Sequence, residues 1–488
     1  MVRQNRKGNN LKWKNNLFVG VLAVGLASPA IAQQTNTLEI IKELQRRIEE
    51  LENKVQSLER GQTNAPSTTN AFPSMTPAEY EGGAAKGTAT VSLGGNGLVV
   101  RSGDSNFLMN IHGYIQADGR FYLGNETAAK DTFLLRRVRP IIEGTVFERF
   151  DYRLMADFGS GNVSSSTPGN NAVLDDAYVN ARPWQQFQVQ VGKYKSPVGL
   201  ERLQSTAELL FIENGFPTQL TPNYDLGVQI HNTLFDTPIN YAIGIFNGAA
   251  DAASQDIDTT DEGKDVVGRI FFQPFLRTEN SVLSKLGFGV GGSAGHHSGP
   301  LPSYKTPGQQ TFFSYANTVS AQGLQYRVDP QFFYYWGPFG ILGEYVVSSP
   351  EVKSSVAGLP SQRFNNTGWQ IEGSYFLTGD TNWFRSTSRH LFQPARPLNF
   401  RGEGWGALEL VARVGQLSLD RDAFPAYVAP GSAREATEFG VGLNWYLNSN
   451  LRLYLNYEHT RFDGGSQAKG AVTAGDENAV LGRVQVSF

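Results

Sequence analysis

The chain has 488 residues, a formal net charge of −3 and no cysteine. The lack of cysteine excludes a disulfide framework and a thiolate metal site. The longest strongly apolar run, residues 17–27, is shorter than the roughly 20 residues that a membrane-spanning helix needs, so we do not expect helices to carry the chain across a membrane.

Residues 1–32 have the organisation of a secretory signal peptide. A basic front (residues 3–14) precedes the apolar run, and Ala30-Ile31-Ala32 forms an A-x-A cleavage site. The alternative is an N-terminal membrane anchor, for which the apolar run is short. Cleavage would remove five basic and no acidic residues, which leaves 37 basic against 45 acidic residues and a net charge of −8. An acidic mature chain gives no support for nucleic-acid binding.

Residues 33–60 are predicted to form a short periplasmic coiled coil. Between positions 41 and 58, apolar residues recur at alternating three- and four-residue spacing, and charged residues fill the intervals. The stretch from Arg47 to Glu52 resembles a short trimerisation motif, which favours a homotrimer over a two-stranded coil or a lone amphipathic helix. The residues assigned to this trimer coiled coil are Ile41, Leu44, Arg47, Ile48, Leu51, Glu52, Val55 and Leu58.

Residues 61–88, rich in Ser, Thr, Asn, Pro, Gly and Ala, are predicted to be a flexible linker. From residue 89 onward the hydrophobic period becomes 2. In 451–458, for example, Leu453 and Leu455 alternate with Arg452, Tyr454 and Asn456. Aromatic residues near strand ends, a chain that stops within a strand, and the signal peptide favour a membrane barrel over a soluble sandwich.

The predicted fold class is therefore all-β. We expect residues 89–488 to form a transmembrane antiparallel β-barrel. Roughly 400 residues at about 20–26 residues per strand and connection give about 16 strands, in agreement with the even strand number of such barrels.

Several segments between residues 107 and 488 follow a recognisable order. The most specific is GKYKSPVGLERLQS at residues 192–205, and residues 133–139 contain a double arginine. Shorter matching segments lie at residues 175–179, 225–229, 244–248, 377–380 and 406–410. The ordered set resembles the phosphate-selective porin O and P family. The resemblance implies a trimeric 16-stranded barrel in the outer membrane of a Gram-negative-type bacterium, in a family whose best-known members conduct phosphate or polyphosphate.

The predicted function is a water-filled pore for passive uptake of small anions, with phosphate as the best single candidate. Rings of Arg and Lys suit anion pores, and the planar guanidinium can pair two oxygens of an oxyanion. In residues 133–143, alternation puts Arg137 and Arg139 on the polar, lumen-facing side of the strand. It puts Arg136 on the opposite side, and the direction of this side chain is left undecided. The resemblance places the 193–202 stretch close to the constriction.

The predicted pore-lining and anion-binding residues are Arg120, Arg137, Arg139, Lys193, Lys195 and Arg202. Four further arginines are candidates for an electropositive vestibule that concentrates anions. They are Arg385, Arg389, Arg396 and Arg401.

Other interpretations stay open. Basic side chains in a barrel can be structural partners of Asp and Glu instead of anion contacts. The pore could be non-selective for small polar solutes, or the barrel could be an anchor whose coiled coil tethers the outer membrane to the cell-wall layer. No enzyme is expected, because the six His are scattered and no catalytic or metal motif occurs. The expected partners are outer-membrane lipid and small anions, with no cofactor and no metal.

Overall fold

The computed structural model describes residues 46–47, 88–95, 97–124, 130–159, 172–184, 186–235, 237–259, 262–279, 282–385, 392–398, 404–465 and 475–488. The chain divides into two compact units, Met1–Gly82 and Gly83–Phe488. The predicted signal peptide lies outside the described residues, and so does the linker except for Thr88. Of the predicted coiled coil, the described part is Arg46 and Arg47, which are helical and exposed.

Within the described residues, sixteen antiparallel strands form one closed barrel, which confirms the predicted fold class and strand number. In chain order they are β3 (Phe107–Tyr122), β4 (Thr132–Val146), β5 (Phe150–Asp157), β6 (Val173–Ala181), β7 (Gln188–Lys195), β8 (Tyr224–Thr233), β9 (Ile239–Phe246), β10 (Asp265–Phe272), β11 (Leu286–Pro300), β14 (Val319–Trp336), β15 (Phe339–Ser349), β18 (Asn366–Phe376), β19 (Ala407–Ser418), β20 (Ala433–Tyr446), β21 (Leu451–Gly465) and β22 (Glu477–Ser487).

The smaller strands attach to this barrel or lie in its connections. A hairpin of β1 (Thr90–Gly94) and β2 (Gly97–Arg101) pairs with the start of β3. β12 (Ser303–Lys305) and β13 (Thr311–Ser314) form a hairpin between β11 and β14. β16 (Glu351–Ser354) pairs with β14, and β17 (Gln362–Arg363) pairs with β16.

The barrel closes where the last long strand meets the first. In the register of β22 with β3, Gln485 lies opposite Gln116, and the backbone groups of Phe488 and Gly113 exchange two hydrogen bonds of 2.9 Å. Closure gives each of the sixteen barrel strands a partner on both edges, which is the condition that lipid imposes on a sheet. We call the end of the barrel at Phe488 the terminal end and the opposite end the distal end.

The two faces of the strands separate as the alternation predicts. In β21, Leu455 is 57% exposed on the outer face, whereas Arg452 and Asn456 are buried inside the barrel. The same holds in β20, where Val441 faces outward and Asn444 faces inward. The outer face is therefore apolar and the lumen polar, because successive side chains of a strand point to opposite faces. Within the described residues no helix is long and apolar enough to span a membrane.

An aromatic cluster lies among the connections at the distal end. Tyr304 and Phe313 of the β12–β13 hairpin stack with ring centroids 5.6 Å apart, and both belong to a buried cluster with Phe216, Phe364 and Tyr427. The tip of the β12–β13 hairpin reaches β3. There the Tyr122 hydroxyl donates a 2.6 Å hydrogen bond to the Gly308 carbonyl oxygen. This hairpin therefore crosses the distal mouth, since β11 and β3 lie on opposite sides of the barrel.

Candidate functional site

A segment inside the barrel narrows the lumen. β7 ends at Lys195, and the next strand begins at Tyr224; we call residues 196–223 the inward segment. It contains the short helix α1 (Leu200–Leu203) and a 3-10 helix (Phe216–Leu220). Pro197 and Gly199 stand where the strand stops, as the turn chemistry of these residues predicts.

The inward segment is attached to the far wall of the barrel. The Gln331 amide of β14 donates a 2.9 Å hydrogen bond to the Val198 carbonyl oxygen, and the Ile212 N–H donates a 2.8 Å bond to the Asn456 side chain of β21. β14 and β21 are the tenth and fifteenth barrel strands, whereas β7 is the fifth. The segment therefore crosses the lumen, and solutes must pass beside it.

Three guanidiniums of β3 and β4 meet one carboxylate of the inward segment. The Glu213 carboxylate lies 2.9 Å from Arg120, 2.6 Å from Arg136 and 3.9 Å from Arg137, measured between the nearest nitrogen and oxygen atoms. We call these four residues the arginine cluster. Burial raises the pKa of Glu213, but the guanidiniums of Arg136, Arg120 and Arg137 outweigh burial and hold it below its ordinary range.

A β-bulge explains how consecutive arginines reach the same site. In the register of β3 with β4, Gln116 lies opposite Arg137 and Ala117 opposite Leu135, so Arg136 has no partner on β3. The extra residue reverses the parity of β4 beyond the bulge. Arg136, which strict alternation placed on the outer face, therefore points into the lumen beside Arg137.

Arg139 faces the lumen as predicted, but carboxylates surround it. Its Nε lies 2.8 Å from Asp157 and its Nη2 2.6 Å from Asp175. Its Nη1 donates a 2.8 Å hydrogen bond to the Thr206 hydroxyl of the inward segment. This arginine therefore couples the inward segment to β4, β5 and β6, a structural role that the sequence left as an alternative.

The three basic residues of the 193–202 stretch differ from one another. Lys193 forms an ion pair with Asp256. Lys195 donates a 2.6 Å hydrogen bond to the Gln204 carbonyl oxygen. Arg202 donates to the Thr218 carbonyl oxygen, and burial lowers its pKa to about 10. Lys195 and Arg202 thus have backbone partners, whereas a carboxylate neutralises Lys193.

A cavity of about 360 Å³ lies between the inward segment and strands β3 to β8. We call it the tyrosine chamber, after Tyr114, Tyr178, Tyr194 and Tyr224 in its wall. Its polar lining also includes Arg139, Arg153, Asp176, Gln190, Lys195, Gln204 and Gln229. The sequence pointed to Arg139 and Lys195 of this lining and not to the amides, because a glutamine carries no distinctive sequence signal.

The two described arginines of the predicted vestibule differ in their surroundings. Arg385 is fully buried and lies 2.5 Å from Glu409, so it is a paired lumen residue and the expectation of an open vestibule was wrong for it. Arg396 is exposed. Arg389 and Arg401 lie outside the described residues. The backbone of Arg385 also contacts the inward segment, since the Ser205 N–H donates to the Arg385 carbonyl oxygen at 3.1 Å.

Several lumen ion pairs involve arginines that were not among the predicted site residues. Arg413 contacts Glu438 and Glu458, Arg452 lies 2.7 Å from Glu208, and Arg483 lies 2.7 Å from Asp118. These arginines have lumen parity in β19, β21 and β22, so the alternation could have nominated them. The partner of Arg452 could not be named, because Glu208 belongs to the aperiodic inward segment. In the part of the chain that the structure describes, no group of three His, Asp or Glu side chains is arranged to hold a metal ion.

Two solved structures are similar to this chain. The outer membrane channel DcaP of Acinetobacter baumannii aligns with a TM-score of 0.50 and 10% identity, over 80% of this chain and 99% of that one. The anion-selective porin from Comamonas acidovorans aligns with a TM-score of 0.49 and 11% identity, over 78% of this chain and 100% of that one. Identities this low concern the fold alone.

No curated protein sequence matches the chain. The family model for "Phosphate-selective porin O and P" matches residues 109–488, which include the whole barrel except the first two residues of β3. The closed barrel, the polar lumen and the inward segment are the parts that such a channel requires. The chain therefore belongs to the phosphate-selective porin O and P family and is a porin of the outer membrane.

Proposed function

We propose that the pore conducts small anions in preference to cations, and that phosphate is the anion it favours. The observation that carries the proposal is the arginine cluster. Three guanidiniums and one carboxylate leave an excess of two positive charges where the inward segment meets β3 and β4. Neighbouring Asp118 does not cancel this excess, because its carboxylate pairs with Arg483.

The charge of the whole chain is a poor guide to selectivity. At physiological salt the screening length is about 8 Å, so the field at the cluster reflects its immediate neighbours. Acidic residues near the distal end, such as Asp256 with its largely exposed side chain, act mainly on their own surroundings. A locally positive constriction in an acidic protein is therefore physically consistent.

Unused hydrogen-bond donors in the cluster support an oxyanion as the substrate. The Nε atoms of Arg120 and Arg137 are buried and have no acceptor among the described residues. Guanidinium donors fit phosphate oxygens in pairs and remain charged at all relevant pH values. Phosphate offers more acceptor sites and more charge than chloride, so it would gain more from these donors.

The test is the reversal potential of the purified mature protein in a planar bilayer under a salt gradient, with chloride and then phosphate. We expect anion selectivity, and block of chloride current by low concentrations of phosphate. Replacing Arg120, Arg136 and Arg137 together with Gln should abolish both. The matched control replaces the exposed Arg149, Arg277 and Arg421 with Gln. Cation selectivity of the wild type, or a triple variant that behaves like the control, would refute the proposal.

A non-selective pore for small polar solutes is the second candidate. It is favoured by the pairing of other lumen cations, since Arg139, Arg153, Lys193 and Arg385 each contact a carboxylate. Under this alternative the reversal potential stays near zero, and the Gln substitutions change conductance without changing selectivity. The same bilayer experiment therefore separates the two candidates.

We also propose that the chain assembles as a homotrimer with its coiled coil in the periplasm. The support is the heptad pattern of residues 41–58. Deleting residues 38–60 separates assembly from tethering. If the coiled coil tethers the outer membrane to the cell wall, deletion should weaken the envelope in cells. If it only assists assembly, chemical cross-linking should show fewer trimers while the conductance of the remaining trimers is unchanged.

A further inference from the structure

The tyrosine chamber contains polar groups that the protein itself does not satisfy. Gln204, in the inward segment, is 1% exposed, and neither its amide oxygen nor its amide nitrogen has a hydrogen-bond partner among the described residues. The Gln229 amide nitrogen donates to Gln190 at 3.1 Å, but the Gln229 Oε1 is buried without a donor. A buried amide without partners is unfavourable, so these groups point to an occupant that both donates and accepts hydrogen bonds.

Lys195 offers the amine that an anionic occupant would hold in its charged form. Its ammonium group has three donors, of which one reaches the Gln204 carbonyl oxygen, and it lies 5.7 Å from the centroid of the Tyr224 ring. In the described residues it forms no ion pair with a carboxylate. Arg139 and Arg153, in the same lining, each contact two carboxylates. An anionic group in the chamber would therefore be held by Lys195.

The aromatic walls indicate that the occupant also has a carbon skeleton. Tyr178 and Tyr194 meet edge to face with their ring centroids 5.8 Å apart, and Tyr194 is buried. Inorganic phosphate has no apolar surface to cover these rings. The volume of about 360 Å³ falls within the roughly 300–1,000 Å³ of small-molecule sites.

We propose that the tyrosine chamber binds a sugar that carries one anionic group, either a sugar phosphate or a sugar acid. The anionic group pairs with Lys195. Hydroxyl groups donate to the amide oxygens of Gln204 and Gln229 and accept from the Gln204 nitrogen. The sugar ring packs on the tyrosines. The inference deepens the proposed anion conductance, on which it rests, by adding a second substrate class with a site distinct from the arginine cluster.

The test is block of channel current in a planar bilayer by four probes: glucose 6-phosphate, gluconate, glucose and inorganic phosphate. We expect glucose 6-phosphate or gluconate to halve the current at a concentration at least tenfold lower than glucose or inorganic phosphate requires. A comparison of glucose 6-phosphate with gluconate shows whether the site prefers a phosphate group or a carboxylate. Equal block by inorganic phosphate or by glucose overturns the inference. The reversal potential from the same recordings tests anion selectivity, so failure of the inference is distinguishable from failure of the proposed function.

Variants locate the site. Gln204→Leu removes both amide groups at similar volume and should erase most of the advantage of the sugar anion over inorganic phosphate. Gln322→Leu makes the same chemical change at an exposed position of β14 and serves as the control. If Gln204→Leu forms no channels, the same current block is measured with Gln229→Leu, which changes the chamber wall in β8. An undiminished advantage in whichever variant forms channels overturns the inference.

Discussion

The guanidinium of Arg136 donates two hydrogen bonds to the carboxylate of Glu213, 2.6 Å from Nε and 3.1 Å from Nη2. The first residue lies at a β-bulge of the barrel wall and the second in the inward segment, 77 positions later in the chain. This contact ties the inward segment to the wall. It also places one negative charge among three positive ones, so the strength of the local positive field depends on Glu213.

Removal of that charge should strengthen anion selectivity. In Glu213→Gln the cluster keeps its shape but loses its carboxylate charge. A unit charge about 4 Å away is worth about 1 kcal/mol in water, so we expect phosphate to block at about fivefold lower concentration. The measurement is chloride current against phosphate concentration in a bilayer. Glu279→Gln, at an exposed turn, is the control, and equal block in the two variants would contradict the role of Glu213.

The ion pairing of Glu213 should also appear in the pH dependence of stability. Its folded-state pKa is held below the unfolded value of about 4.3, so its contribution is present above that pH and is lost as the pH falls through the folded pKa. The difference in unfolding free energy between wild type and Glu213→Gln should therefore be constant from pH 7 to pH 5 and shrink at lower pH. Urea unfolding at pH 7, 5 and 3 measures it. A decline already between pH 7 and pH 5 would show that the pKa is not depressed.

The docking of the inward segment on β11 should depend on a glycine. A Cβ atom at Gly291 would overlap the Val198 carbonyl oxygen, so Gly291→Ala must push the segment away from the wall. We expect a larger and less steady single-channel conductance. Gly268→Ala, in adjacent β10, is the matched control because the nearest atom to its Cβ would be 3.9 Å away. Identical conductance traces from the two variants would show that β11 does not position the segment.

The seam of the barrel should be sensitive to one buried ion pair. Arg483 of β22 donates two hydrogen bonds, of 2.7 and 2.8 Å, to Asp118 of β3, and both residues are buried. Asp118→Ala leaves a buried guanidinium without its partner and should cost about 3–5 kcal/mol of unfolding free energy.

The control for the buried Arg483–Asp118 pair is an arginine–aspartate ion pair at the surface. Arg182 and Asp151 are 2.9 Å apart and partly exposed, so Asp151→Ala should cost about 0–1 kcal/mol. Urea titration in lipid vesicles measures both variants. Similar losses in the two would mean that water reaches the seam and screens its charges.

Much of the fold could be predicted from the sequence, because the alternation of apolar and polar residues shows which face of a strand contacts water. The lumen positions of Arg120, Arg137 and Arg139 follow from that period, and so does the outward position of Leu455. A shift of one residue would expose every apolar side chain to the lumen, so the register of each strand is strongly specified. The fold class can therefore be predicted without knowing which strands are neighbours.

The tertiary structure decided the electrostatics of the lumen. The inward direction of Arg136 depends on a bulge that exists only in the pairing of β4 with β3. Glu213 and Gln204 lie in an aperiodic segment, whose contacts depend on the path it takes across the closed barrel. Lys193 is neutralised by Asp256, 63 residues away, whereas nearby Lys195 has no carboxylate partner in the part of the chain that the structure describes. In regular strands the sequence predicts which residues face water, since alternation is a local property. Which charges cancel depends on contacts between distant parts of the chain, and these form only when the barrel closes.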